Sequence, residues 1–239
     1  MADQPVLVVF GARNVGRAII GERLTAGWKA LAVVRSEETA DLVRQSHPTA
    51  TVVCGDAGDP ISVAEALAKA NRDLGGIDLV VNAVTAPPSG QPFGGGPVID
   101  APAERLDDWL AGFIPPAWHV MRLAGQALVH RGAGTIVQIA GGSARRSMPN
   151  RGPWAVAQQG ARALALSLAQ ELRPAGVHVC VLVADGMIVT DRNPLPDAHA
   201  GEALQPADVA DAVAYLHSQK PSAWTHEMTL TPAAESWTP

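Results

Sequence analysis

Tyrosine is nearly absent from this chain: Tyr215 is the only one in 239 residues. Lysine is almost as scarce, confined to Lys29, Lys69 and Lys220. Chemistry that needs an ionisable phenol beside an ammonium group therefore has few positions to draw on. Two cysteines, Cys54 and Cys180, are too few for a disulfide framework, and neither has a Cys or His at metal-ligand spacing, so no metal site is expected. Both lie in apolar runs and read as buried free thiols of a cytosolic protein. No Lys/Arg cluster exceeds the pair Arg145-Arg146, and the net charge is −5. A surface for nucleic acid or an anionic membrane is not expected. No apolar stretch approaches about 18 residues, so no membrane span is expected. The opening MADQPVLVVFG has no basic segment ahead of a long apolar one and is not read as a secretory leader. The expected location is cytoplasmic.

The composition, 47% hydrophobic and 17% charged, suits a chain with a large buried core. Short, continuously apolar runs at Val6–Phe10, Ala30–Val34, Thr51–Cys54, Leu79–Asn82, Thr135–Ile139, Val179–Val183 and Met228–Leu230 read as strands covered on both faces. Helical segments lie between them. Asn14–Ala26 stops at Gly27, Asp59-Pro60 opens a helix toward Gly75-Gly76, and Trp154–Leu172 and Pro206–Ser218 follow. Repeated β-α-β units predict an α/β fold, a doubly wound parallel sheet of about seven strands in one domain spanning 1–239. The segment Thr85–Pro97, rich in Pro and Gly, reads as a loop at the C-terminal edge of the sheet, where such folds bind ligands.

Strand Val6–Phe10 leads into Gly11-Ala-Arg-Asn-Val-Gly16 and a helix, the arrangement that offers backbone N–H groups to a pyrophosphate, with Arg13 at the middle glycine. Further segments follow in order. These are Gly55-Asp56-Ala57, Asn82-Ala83-Val84, Ala184-Asp185-Gly186-Met187-Ile188-Val189-Thr190, and Pro206 to Val213 with Thr225 to Leu230. Together with the glycine turn they resemble the short-chain dehydrogenase/reductase family over nearly the whole chain. The resemblance implies a Rossmann fold and a nicotinamide cofactor. It implies that Gly11, Arg13, Asn14 and Gly16 form the pyrophosphate turn and that Asp56 and Ala57 flank the adenine. It also implies that Asn82, Ala83 and Thr190 line the remainder. Asn14 stands where the family's middle glycine falls. Arg35 follows the second strand, and Val34 takes the place of the acid that binds ribose hydroxyls in NAD enzymes. Arg35 with Arg13 points to NADP(H) over NAD(H). The plain reading of Arg35 is a solvated strand-end charge.

The family's chemistry rests on an Asn-Ser-Tyr-Lys set. By spacing, the Ser position falls on Gly141, with Ser143 a possible substitute two residues on, the Tyr position on Trp154 and the Lys position on Gln158. Phe113 stands at the Asn position, and Pro115-Pro116 should kink or restart its helix. An indole N–H donates but does not titrate usefully. Asp185, in place of the family's proline, is either a turn former or a carboxylate able to act as acid or base. His119 reads as a helix-surface residue, and Arg145, Arg146 and Arg151 as solvated charges, although the arginines lie on the side where an anionic substrate would sit. The leading expectation is an NADP(H)-binding oxidoreductase with non-standard catalytic residues acting on a small molecule. The alternatives are a non-redox dehydratase, isomerase or cyclase, or a non-catalytic cofactor-binding or partner subunit. Trp154–Leu172 carries Ala and Leu on more than one face, which with the resemblance implies a homodimer or homotetramer. The segment Met187–Gln205 is short and holds prolines, so an open pocket is expected.

Overall fold

The computed structural model describes residues 4–190, 194 and 201–236. Part of the segment expected to shape the pocket mouth, 191–193 and 195–200, lies outside the described residues. Seven strands form one parallel sheet in the order β3-β2-β1-β4-β5-β6-β7. They are β1 (Val6–Phe10), β2 (Lys29–Val34), β3 (Thr51–Cys54), β4 (Leu79–Asn82), β5 (Gly134–Gly141), β6 (Val177–Ala184) and β7 (Glu227–Leu230). Helices α1 (Val15–Thr25), α2 (Glu37–Ser46) and α6 (Pro206–Ser218) cover one face, while α3 (Pro60–Lys69), α4 (Glu104–Arg131) and α5 (Gly152–Leu172) cover the other. Every residue of β1 and β6 is buried, which is why those segments, apart from His178, are continuously apolar rather than alternating.

The chain reverses direction across the sheet at β1, which pairs with β2 on one side and β4 on the other. The two connections leave in opposite directions, so a crevice opens above the C-terminal ends of β1 and β4. Local signals hold the neighbouring helices in place. Asp59 caps α3 by accepting the N–H groups of Ile61 and Ser62, and those bonds keep its carboxyl below the usual range. Ser36 caps α2 through the N–H of Thr39.

Two expectations fail here. Cys54 is exposed, with its thiol donating to Glu37. It ends the edge strand β3, which has a neighbour on one side only. Cys180, on β6 between β5 and β7, is buried, and burial pushes its thiol up to about 12. The proline pair does not break its helix. Pro115 and Pro116 lie inside α4, which runs unbroken over 28 residues. The carbonyls of Ala111 and Gly112 lose their i+4 N–H partners, and both residues line the crevice rather than the packed core.

Burial pushes three histidines below the usual imidazole range: His47, His178 and His217. His178 donates from Nε2 to the Thr225 carbonyl, while its buried Nδ1 has no partner among the described residues and its ring stacks on Trp224. Protonation would bury an unpaired N–H and a charge. The unfolded chain takes up these protons near the ordinary value of about 6.5, and the folded chain does so only at lower pH. Stability is therefore full above about pH 7 and should fall as pH drops toward 5.5, by at most about 1.4 kcal/mol per pH unit for each proton. Thermal unfolding across that range checks this; a flat midpoint would refute it.

Candidate functional site

A cleft of about 1310 Å³ runs along the C-terminal edge of the sheet. Its first wall is the turn between β1 and α1. Gly11 has φ +85°, and a Cβ there would lie 2.8 Å from the Ala83 carbonyl oxygen. A Cβ on Gly16 would lie 2.2 Å from the Gly11 carbonyl oxygen. Strand, turn and helix therefore approach more closely than any side chain allows. Asn14 precedes α1 without a side-chain cap, so the N–H groups of the first turn face the cleft unclaimed. That arrangement accepts a pyrophosphate.

Arg13 and Arg35 are exposed on the same cleft, and neither has a hydrogen bond or carboxylate partner among the described residues. Ser36 and the buried Thr39 stand beside Arg35. Asp56 accepts the Gly58 N–H on Oδ1 at 2.8 Å, leaving Oδ2 open, and Ala57 adjoins it. Ala83 and Thr190 also line the cleft. Asn82 does not: it is buried behind the wall. Its Nδ2 donates to Gln138 and its Oδ1 accepts the Val84 N–H, which orients the Ala83–Val84 segment that does line it. A nicotinamide dinucleotide fits this cradle on the unclaimed helix N–H groups and the two unpaired guanidinium groups.

At the far end the cleft is lined by Trp154, Gln158, Ser143 and Asp185. Trp154 Cζ2 lies 3.9 Å from where a Gly141 side chain would begin, so the indole reaches over the end of β5. The ring stacks on Trp109 with centroids 5.8 Å apart and takes Phe93 edge-on at 4.5 Å. Its Nε1 is buried without a partner among the described residues. Gln158 is buried and accepts the Gly141 N–H on Oε1 at 3.0 Å, while its Nε2 has no partner among the described residues. Phe113 packs against Trp109. Ser143 is 2% exposed, and its carbonyl accepts from Gln159.

Asp185 is also 2% exposed. Arg146 donates to its Oδ1 at 2.9 Å and also reaches Glu235 at 3.5 Å, while Oδ2 is buried with no hydrogen bond. The carboxylate fits there because residue 142 is glycine, where a Cβ would lie 1.9 Å from Oδ1.

The three arginines expected as solvated charges are not. Arg145 pairs with Glu227 and Arg146 with Asp185, while the Arg151 guanidinium lies over the rings of Phe93 and Trp154. His119 is half-buried, with Nδ1 out of solvent and unpartnered among the described residues. Sequence reasoning missed Ser36, Thr39, Phe93, Met148 and Met187 on the cleft wall. For Ser36 a signal was available in the N-cap pattern Ser-Glu-Glu-Thr; the others sit on or beside loops whose positions only the fold sets.

The family model of short chain dehydrogenases matches residues 4–197. An oxidoreductase from Staphylococcus epidermidis is 26% identical over 231 residues, covering 96% of this chain and 97% of the relative. Bovine L-xylulose reductase is 26% identical over 180 residues, covering 75% and 70%. Among solved structures, a short-chain dehydrogenase from Rhodopseudomonas palustris aligns with a TM-score of 0.77 at 24% identity, covering 95% and 98%. A serine dehydrogenase complexed with NADP+ aligns at 0.83 and 17%, covering 98% and 97%, and shares the fold. The chain belongs to the short-chain dehydrogenase family of oxidoreductases.

Proposed function

We propose that this chain is an NADP(H)-binding oxidoreductase of that family, in which Trp154 and Gln158 stand at the catalytic tyrosine and lysine positions. One observation carries the reading: a single cleft joins two unpaired arginines at its glycine-turn end to a wall without phenol or ammonium at its other end. The cofactor supplies or accepts the hydride. The α1 N–H groups take the pyrophosphate, with Gly11, Asn14 and Gly16 shaping the turn. Arg35 and Arg13 take the 2′-phosphate and disfavour NAD(H). Asp56 and Ala57 hold the adenine, while Ala83 and Thr190 close the ribose side. Gln158 offers its free Nε2 toward the nicotinamide ribose and fixes the Gly141 backbone. Trp154 excludes water above the reacting carbon, and Asp185, paired with Arg146, places a carboxylate at the same end. Ser143 is the hydroxyl nearest in sequence to the lost serine. Residues 1–239 work as one such unit in the cytoplasm, on a small-molecule substrate.

A fluorescence titration tests the cofactor reading. Wild type should prefer NADPH to NADH, and Arg35→Ala should weaken NADPH about 10–100-fold, the value of one charge-assisted hydrogen bond. NADH should be nearly unaffected. Equal affinity of wild type for the two cofactors would refute it.

The second reading is a non-redox enzyme or a cofactor-binding subunit without turnover. The half-buried, non-titrating Trp154 indole, stacked on the buried Trp109, favours it. NADPH binding with no oxidation against a ketone panel would select it. In either case we infer a homodimer or homotetramer, since Trp118 on α4 and Val156 on α5 are 49% and 51% exposed. A monomeric mass in light scattering at micromolar concentration would exclude that.

A further inference from the structure

The substrate end of the cleft is built by two segments that dock on each other. Phe93-Gly94-Gly95-Gly96 lies against Asn150–Pro153: the Gly96 N–H donates to the Asn150 carbonyl at 3.1 Å. A Cβ on Gly94 would lie 2.6 Å from Arg151 Cγ, and one on Gly95 2.6 Å from Pro153 Cγ. Arg105 adds a bond to the Gly95 carbonyl at 2.7 Å, and Gln91 ties Trp109 and Asp108 to the same loop. This docking places Phe93, itself 65% exposed, beside Trp154, with the Arg151 guanidinium 4.9 Å from the Phe93 ring centre and 5.8 Å from that of Trp154.

Arg151 is half-buried and lines the cleft, yet no carboxylate or carbonyl pairs with its guanidinium among the described residues. Its neighbours in sequence order, Arg145 and Arg146, are both neutralised. A guanidinium has five N–H donors, and ring faces satisfy its charge but none of those donors. Held beside two rings and lining the cleft, it keeps N–H donors for a bidentate acceptor. Around it Phe93, Trp154, Met148 and Met187 give the cleft an apolar, flat-sided wall. Asp185 and Glu235 bring two negative charges to the same end against the single charge of Arg146, which disfavours a dianion.

We infer that the substrate is a carboxylate monoanion carried on a flat apolar body, anchored by Arg151 between Phe93 and Trp154. The inference rests on the proposed function in taking this end of the cleft as the substrate end. It adds the substrate class.

Benzoate, benzamide and phenylphosphonate serve as probes in isothermal titration of the full-length protein, with and without NADPH. Wild type should bind benzoate at least about tenfold tighter than benzamide, one charge-assisted hydrogen bond's worth, and tighter than phenylphosphonate. Arg151→Gln should bring benzoate and benzamide within about twofold, and Arg151→Lys, keeping the charge but losing the fork, should fall between. Benzoate no tighter than benzamide in wild type overturns the inference, and so does a preference that survives Arg151→Gln. Should Arg151→Gln fail to fold, the wild-type comparison and Arg151→Lys still decide. Phenylphosphonate binding tightest refutes the carboxylate class. NADPH titrated into the same wild-type sample reads the other end of the cleft separately. A protein that selects benzoate but ignores NADPH keeps the anion site and loses the cofactor reading.

Discussion

Given NADPH and simple ketones, the purified protein should turn over about 10²–10⁴-fold more slowly than a short-chain dehydrogenase with an intact Tyr-Lys pair, the usual cost of losing a general acid. The reason is chemical rather than steric. Reducing a carbonyl requires a proton at the new alkoxide, and neither Trp154 nor Gln158 has a proton to exchange near neutral pH. Relocating the phenol is not an option, because Tyr215 lies on α6, 56% exposed, and does not line the cleft. Loss of NADPH absorbance is the measurement. Ordinary turnover in wild type, left intact by Trp154→Phe, would mean the reacting groups lie elsewhere.

Gly16→Ala should be the most damaging single methyl addition to the cofactor end. The added carbon would sit 2.2 Å from the Gly11 carbonyl oxygen and 2.9 Å from Val9 Cγ1. The first contact is backbone and cannot swing aside, so α1 must back away from β1. Overpacking of this kind costs about 1–3 kcal/mol, which for a chain this long lowers the melting temperature by roughly 2–12 °C. NADPH affinity should fall by more than about 100-fold, because the displaced N–H groups are those that meet the pyrophosphate. Gly141→Ala is the control for stability: φ is −96° and the only atom near its Cβ is Trp154 Cζ2 at 3.9 Å. It should melt with wild type. A Gly16→Ala protein that melts and binds NADPH like wild type would show that the turn is looser than drawn.

The strands and the glycine turn after β1 were legible in the sequence because local rules specify them. A parallel strand covered on both faces is almost wholly apolar, and β1, β2, β4 and β6 follow this apart from Lys29, Asn82 and His178, with boundaries near those read from the chain. Edge position weakens the rule, which is why the last residue of β3, Cys54, is exposed despite its apolar run. Helix α4 was misjudged for a related reason. Proline removes local hydrogen bonds, but α4 packs on α5 and the sheet along its length, and the freed carbonyls of Ala111 and Gly112 face the cleft instead of the core.

Charge pairing was the least legible feature. Arg145 meets Glu227 across 82 positions and Arg146 meets Asp185 across 39, separations no local pattern encodes. The sequence by itself determined the family, the glycine turn and the scarcity of tyrosine and lysine, because each depends on residue identity. The tertiary structure alone decided which of the arginines in the cleft are neutralised and which remain free. Pairing depends on distance in space, and folding brought carboxylates to Arg145 and Arg146 while leaving Arg13, Arg35 and Arg151 with none among the described residues.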